Sequence, residues 1–228
     1  TADKITVDGT SLRFSDASFA GVMTSGGASF ASLNGSAGSL VAVIGYANAA
    51  VTAGTAYGSE ASGIRASTAA EFSNRDAFVL TDGSGTNRYP LRAGTDGATN
   101  GAPLTQAEAR AVLEEAFTVM SRARAQIRRP LDSRAQVTIS IVDTHGSVLG
   151  IVRSPDAPIF GTDVSLQKAR TAAFFSGAQA ATELGANASA DIRQFVPATR
   201  TFLNDPAALT GTIAFSARAN GNLSRPYF

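Results

Sequence analysis

Residues 158–176 read Pro-Ile-Phe-Gly-Thr-Asp-Val-Ser-Leu-Gln-Lys-Ala-Arg-Thr-Ala-Ala-Phe-Phe-Ser and predict a short loop that leads into an alanine-rich helix. No proline occurs from Val164 to Ala181. We expect this helix to end at or near Gly177, because glycine is a poor helix former. Thr162 or Asp163 is expected to cap its start, since a short side-chain oxygen can accept a hydrogen bond from the first free amides.

Two cations stand among small residues on this helix. Lys168 and Arg170 are surrounded in sequence by Ala169, Ala172 and Ala173, which leave room for another backbone or a flat ligand. Lys168 therefore looks buried against its small neighbours. Two interpretations stay open: ordinary surface charges, which are the commoner case because Lys and Arg are rarely buried unpaired, or contacts to an anion at the edge of a pocket.

A second helix is predicted over residues 105–127. Thr105 and Glu108 have the spacing of a capping box, in which each side chain bonds the backbone amide of the other residue. Apolar residues then recur three and four positions apart, which is typical of an amphipathic helix. They are Val112, Leu113, Ala116, Phe117, Met120 and Ala123. Arginines complement the carbonyls at the helix end, and Pro130 stops it.

A hairpin follows over residues 136–153. From Gln136 the hydrophobic period becomes two, with Val137, Ile139 and Ile141 on one face and Thr138 and Ser140 on the other. The residues Asp143-Thr144-His145-Gly146 form the turn, where Gly146 supplies a left-handed conformation. Residues 147–153 return as the second strand.

The first hundred residues are less regular. Asp8-Gly9 predicts a hairpin turn between strands at 5–7 and 12–14. Short buried strands are expected at 40–44 and 77–80. The Gly-, Ser- and Ala-rich tracts at 24–39 and 47–67 contain scattered aromatic residues, and they favour an ordered coil packed on the main domain or on a partner.

Composition excludes several classes of function. A net charge of +1 gives no general attraction to nucleic acid, and the absence of cysteine excludes disulfides and thiolate metal sites. No apolar run is long enough to span a membrane. The basic run at 122–134 is best explained as a solvated helix end. The oxygen-rich residues 82–87 resemble a calcium loop but lack its downstream glutamate, so an exposed turn is favoured.

His145 is the only histidine, so a site with two histidines from one chain is impossible. It is a chemically suitable axial haem ligand, although a polar residue in a hairpin turn is more often simply solvated. Other conceivable ligands are Tyr46, Tyr57, Tyr89, Tyr227, Met23 and Met120.

Three stretches carry a resemblance to a known family: the hairpin Val-Thr-Ile-Ser-Ile-Val-Asp-Thr-His-Gly-Ser-Val-Leu-Gly-Ile-Val-Arg, then Ala-Pro-Ile-Phe-Gly, then Lys-Ala-Arg-Thr-Ala-Ala-Phe-Phe. Together they resemble the GlcG/HbpS family of haem-binding or haem-degrading domains over residues 104–184. Residues 185–228 are similar to an extension found in a larger, exported bacterial subgroup. Those large proteins carry two such domains, and residues 1–100 resemble the stretch between them.

The resemblance implies an α+β fold of the profilin-like, three-layer α/β/α type, in which helices cover an antiparallel sheet of about five strands. We therefore expect a β- and coil-rich segment over 1–101 and a GlcG/HbpS-like domain over 102–228. The Gly-Gly-Xaa-Pro segment and glycine-rich final strand of the family do not occur after Ser176. The sheet is thus expected to have an open edge, completed by the remainder of the same precursor or by another subunit of an oligomer.

The resemblance also implies a function: an exported domain, secreted or periplasmic, that binds haem or a small acidic ligand. The residues it implies are Lys168, Arg170, Thr171, Phe174, Asp143 and His145. One alternative is a non-catalytic structural subunit of a larger, processed assembly. A third possibility is an enzyme that uses Lys168 for acid–base chemistry, and binding is favoured over catalysis.

Overall fold

The computed structural model describes residues 5–7, 10–12 and 55–215. The strand expected at 40–44 and the tract at 24–39 lie outside these residues. The strands are β1 (Ile5–Val7), β2 (Thr10–Leu12), β3 (Ile64–Ala66), β4 (Phe78–Leu80), β5 (Thr138–Val142) and β6 (Val148–Arg153). The α-helices are α1 (Gly97–Asn100), α2 (Gln106–Arg122), α3 (Gly161–Ser176), α4 (Ala180–Gly185), α5 (Ala190–Arg193) and α6 (Phe195–Leu203), and a 3-10 helix covers Glu60–Ser62.

The main sheet has four antiparallel strands in the order β3-β4-β6-β5, so the α+β class is confirmed. Within the described residues this sheet has one strand fewer than the expected five or so, and β3 and β5 form its edges. The strands β1 and β2 pair separately, with Val7 opposite Thr10. The N-terminal hairpin is therefore confirmed, although its second strand is 10–12 rather than 12–14.

Helix α2 has the expected start. The Thr105 amide donates to the Glu108 carboxylate at 2.8 Å, and the Glu108 amide donates back to the Thr105 hydroxyl at 3.2 Å. Its end differs from the sequence prediction, because the helix stops at Arg122 and not near Pro130. The chain folds back there: the Ala135 amide bonds the carbonyl of Ala123 at 2.9 Å. The Arg134 guanidinium also donates to the Ser121 carbonyl at 2.7 Å, which satisfies one of the free carbonyls of the last turn.

The hairpin is confirmed, but its burial pattern is not the expected one. Thr138 is buried although it was placed on the polar face, and Val137 of the apolar face is 40% exposed. Ser140 on the same polar face bonds the Ser165 hydroxyl of α3 at 2.6 Å, so this face is covered by protein and not by solvent. Apolar and polar residues do alternate along β5, but the polar residues do not form a face that is exposed to solvent.

Helix α3 begins at Gly161, earlier than the sequence indicated, and ends at Ser176, just before Gly177 as expected. Thr162 and Asp163 consequently lie inside its first turn, where both are buried, and they do not occupy the cap position. The loop before α3 explains this early start, because the Gly161 amide already bonds the Pro158 carbonyl at 3.0 Å.

The chain folds into two compact units. Among the described residues, the first comprises those up to Pro90, Glu114–Ile139 and Ile151–Asp163, and the second comprises Leu91–Leu113, Ser140–Gly150 and those from Val164 to Phe215. Buried residues of the first unit include Phe72, Val79, Phe117 and Ile151. In the second unit, one cluster joins α4, α6 and the chain after α6. It consists of Ala180, Val196, Leu209 and Phe215, with Phe175, Ala181 and Leu184 packed against it.

Candidate functional site

The turn between β5 and β6 is organised by the buried carboxylate of Asp143. Its Oδ1 accepts the amides of His145 at 3.0 Å and Ser147 at 2.9 Å. Its Oδ2 accepts the Thr95 amide at 2.9 Å and the Thr95 hydroxyl at 2.7 Å. Four donors therefore satisfy this carboxylate, which holds the turn in place.

A second carboxylate, missed by the sequence analysis, supports the same turn. Asp96 Oδ2 accepts the Thr144 hydroxyl at 2.7 Å, the Thr144 amide at 3.2 Å and the Asn100 amide nitrogen at 2.8 Å. The hydroxyl of Thr144, with the other donors, lowers the pKa of Asp96 against the opposing effect of burial. An aspartate just before the short α1 is the only sequence signal for this role, and it is common to many loops.

Arg170 is hydrogen-bonded to the same turn. Its Nε donates to the Gly146 carbonyl at 2.9 Å, and Gly146 has a left-handed φ of 76° as the sequence predicted. His145 is exposed, and its Nε2 shares a 2.9 Å hydrogen bond with the Thr99 hydroxyl. Asp143, His145 and Arg170 are therefore brought together at one turn of the second unit.

The other three expected site residues form a separate row on α3. Lys168, Thr171 and Phe174 are three positions apart, so they are neighbours on the helix surface, whereas Lys168 and Arg170 point in different directions. We call this row the α3 strip. Lys168 is exposed and Phe174 is 37% exposed, while the Thr171 hydroxyl donates to the Gln167 carbonyl at 2.8 Å. The impression of a buried Lys168 is wrong: its side chain is exposed, and Ala172, one turn along the same face of α3, is too short to cover it.

Arg153 is a further buried polar residue that the sequence did not single out. This last residue of β6 is fully buried, at 0% exposure, and one nitrogen of its guanidinium, Nη2, donates to the Ala157 carbonyl. Burial lowers the pKa of Arg153 from its usual value, and the neighbouring Tyr57 hydroxyl acts in the opposite direction. The sequence did contain a signal for this burial. A continuous apolar run such as 148–152 is typical of a strand that is buried on both faces, and Arg153 directly follows that run.

The acidic groups that the structure describes do not assemble into a metal site. In the described part of the chain, no three His, Cys, Asp or Glu side chains are grouped so that they could hold an ion. Asp82 in the calcium-like loop is exposed and accepts the amides of Ser84 at 2.8 Å and Thr86 at 3.2 Å, which supports the exposed turn that was favoured. Across residues 55–215, no helix combines the length and apolar character that a membrane span requires.

Comparison with known proteins gives one match. Residues 112–218 match the family model of the haem-degrading protein HbpS-like family. Neither the curated proteins nor the solved structures give a match. The matched region starts inside α2 and includes the hairpin, α3 and the helices after it, so it extends beyond the limit of residue 184 that the quoted motifs indicated. Residues 112–218 therefore match the HbpS-like family, which their hairpin and α3 motifs resembled.

Proposed function

We propose that this chain is an exported domain, secreted or periplasmic, that binds haem or a related acidic tetrapyrrole at the α3 strip. The family match of residues 112–218 is the observation that carries the proposal, since the family is defined by haem chemistry. The strip supplies a second reason, because its exposed cation and exposed ring lie six residues apart on one helix, about 9 Å along its axis.

The side chains of the strip are suited to contact the propionates and the ring of haem, and they include no ligand for its iron. Lys168 is exposed and can pair with a propionate, and the Phe174 ring can lie against the macrocycle. His145 could ligate iron through Nε2 only by giving up its hydrogen bond to Thr99. When bound, haem would supply a redox-active iron. In this proposal the residues of the strip hold and orient the ligand.

The test is a haemin titration of the purified chain, followed by the Soret band. We expect stoichiometric binding that is weakened about tenfold by Lys168→Ala and by Phe174→Ala, through lost charge pairing and lost ring contact respectively. The matched controls are Arg122→Ala, an exposed cation on α2, and Phe202→Ala, whose ring is 57% exposed. Equal affinities in all four variants would reject the strip as the site. Decay of the band in the presence of a reductant would indicate degradation rather than simple binding.

A structural role in a larger assembly is the second candidate, and the open sheet supports it. β3 and β5 lie at the edges of the described sheet, and residues 177–215 contribute helices and turns but no strand that could cover either edge. An exposed strand edge is a template for pairing with another chain. In this alternative, a further part of the precursor or a second subunit completes the sheet.

A further inference from the structure

The basic run at 122–134 does not form the helix end that the sequence predicted. Helix α2 stops at Arg122, and residues 123–135 fold back as a loop, which we call the basic loop. Backbone bonds hold its two sides together, among them the bond from the Ala125 amide to the Ser133 carbonyl at 2.9 Å. The loop therefore presents its side chains from a defined backbone.

The basic loop stands away from the hydrophobic core. No residue from Ser121 to Val137 is buried. The loop exposes two aliphatic side chains, Ile127 at 93% and Leu131 at 58%. Folding thus leaves nearly all of the Ile127 side chain in water. Single exposed aliphatic residues are ordinary on protein surfaces, so the surrounding charges decide what these two can contact.

Positive charge is concentrated in the same loop. Residues 123–135 contain four arginines and one aspartate, a net charge of +3, whereas the whole chain carries +1, so the remaining residues sum to −2. Arg124, Arg129 and Arg134 are exposed, and within residues 55–215 they form no ion pair. The chain as a whole has no general attraction to anions, but this loop does.

The cations lie beside the aliphatic side chains and on an anchored base. The Arg124 Nε donates to the Leu131 carbonyl, which places this guanidinium at the apolar part of the loop. Arg128 is paired with Asp156, and its Nη2 also donates to the Asp156 carbonyl at 2.9 Å, which ties the loop to the segment after β6. Exposed aliphatic side chains with flanking cations are typical of segments that lie in the interface of an anionic membrane.

We propose that the basic loop binds the surface of an anionic lipid bilayer. Ile127 and Leu131 enter the boundary between head groups and acyl chains, and Arg124 and Arg129 contact the lipid phosphates. A protein or a single-stranded nucleic acid fits less well, because both are usually held by aromatic side chains and residues 123–135 contain none. A bilayer requires only apolar burial and charge, which the loop supplies.

The first test is co-sedimentation of the full chain with phosphatidylcholine vesicles that contain about one-third phosphatidylglycerol, compared with vesicles of pure phosphatidylcholine. We expect binding to the anionic vesicles, loss of most of it in about 0.5 M salt, and little binding to the neutral vesicles. Ile127→Ser should weaken binding about tenfold through lost apolar burial, and Arg129→Gln about fivefold through lost charge. The matched controls are Val112→Ser, 51% exposed on α2, and Arg75→Gln, an exposed cation; both should bind as the wild type does.

A second test reports insertion directly. The chain contains no tryptophan, so Ile127→Trp introduces a single fluorescent reporter. On anionic vesicles its emission should move to shorter wavelength and be quenched by brominated acyl chains, because the side chain leaves water. Val112→Trp should show neither change. Both positions are more than half exposed, so these variants are expected to fold, which circular dichroism would check.

Four results would overturn the proposal. They are absent vesicle binding, equal binding to neutral and anionic vesicles, an unshifted emission of Ile127→Trp on vesicles that bind the chain, and binding of polyglutamate as tightly as of anionic vesicles, which would indicate an acidic protein. The basic loop belongs to the first unit and the α3 strip to the second. Haemin titration of Ile127→Ser should therefore match the wild type, and failure of either proposal leaves the other standing.

Discussion

Gly146 shows how a single residue maintains the β5–β6 turn. Its backbone has a φ of 76°, and a Cβ at this position would lie 3.4 Å from Arg170 Cγ. We expect Gly146→Ala to destabilise the chain by about 1–2 kcal/mol, because an L side chain is strained in the left-handed region. Urea denaturation would measure this difference in the free energy of unfolding.

The matched control is Gly185→Ala at the end of α4. Nothing lies within 4 Å of a Cβ built there, and its backbone φ is not positive. Alanine at Gly185 should therefore be neutral or slightly stabilising. If both substitutions had the same effect, the strain at Gly146 would not be the cause.

Lys168 and Arg153 show that the burial of a charged side chain could not be predicted from its neighbours in sequence. The sequence indicated a buried lysine and passed over the arginine, yet Lys168 is exposed and Arg153 is fully buried. Small neighbours do not bury a lysine, because even Ala172, one turn along the same helix face, is too short to cover the Lys168 side chain. The burial of Arg153 depends on Tyr57, which is distant in sequence, and on a loop carbonyl four residues later, neither of which any local pattern encodes.

At the scale of elements, Glu71 links β3 to two loops of the first unit. Its carboxylate accepts both terminal nitrogens of Arg65 at 2.8 and 3.0 Å, the Thr68 amide at 2.8 Å and the Asn87 amide nitrogen at 3.0 Å. Burial raises the pKa of Glu71, but these donors outweigh it and lower the pKa from 4.5 to about 2. The ionised form is therefore favoured by folding.

The sign of this shift sets a pH window for stability. A lowered carboxyl pKa contributes stability that is fully present above 4.5 and is lost as the pH falls toward about 2. We expect Glu71→Gln to destabilise the chain more at about pH 6 than at about pH 3, as measured by urea unfolding. Glu115→Gln, an exposed residue of α2, is the control. A Glu71→Gln curve parallel to that of the wild type over this window would contradict the assignment.

Elements with a strong local pattern could be predicted, and those made by long-range pairing could not. The capping box of α2 and the glycine after α3 are local signals, and both are seen in the structure. Strand β3 has three residues in a Gly- and Ser-rich tract, and only its pairing with β4 makes it a strand. The early end of α2 likewise depends on a chain reversal that satisfies its last carbonyls.

For the whole molecule, the open sheet is the feature with the largest consequence. β5 is the longer of the two edge strands, with five residues against three in β3, so it offers the better template for another strand. If assembly is its role, light scattering after gel filtration should give a mass above that of one chain. Ile141→Lys should shift the chain toward the monomer, because a charge on an edge strand opposes pairing.

Val119→Lys is the control for this prediction, since Val119 lies on α2 and is already 58% exposed. It adds the same charge to the chain, but on a helix and not on an edge strand. Circular dichroism would establish that both variants are folded, because Ile141 is half-buried and a lysine there carries its own cost. A wild-type chain that is monomeric at every concentration would remove the support for assembly through this edge. If both lysine variants lowered the measured mass equally, the cause would be added charge in general and not lost pairing at β5. That result would contradict assembly through this edge.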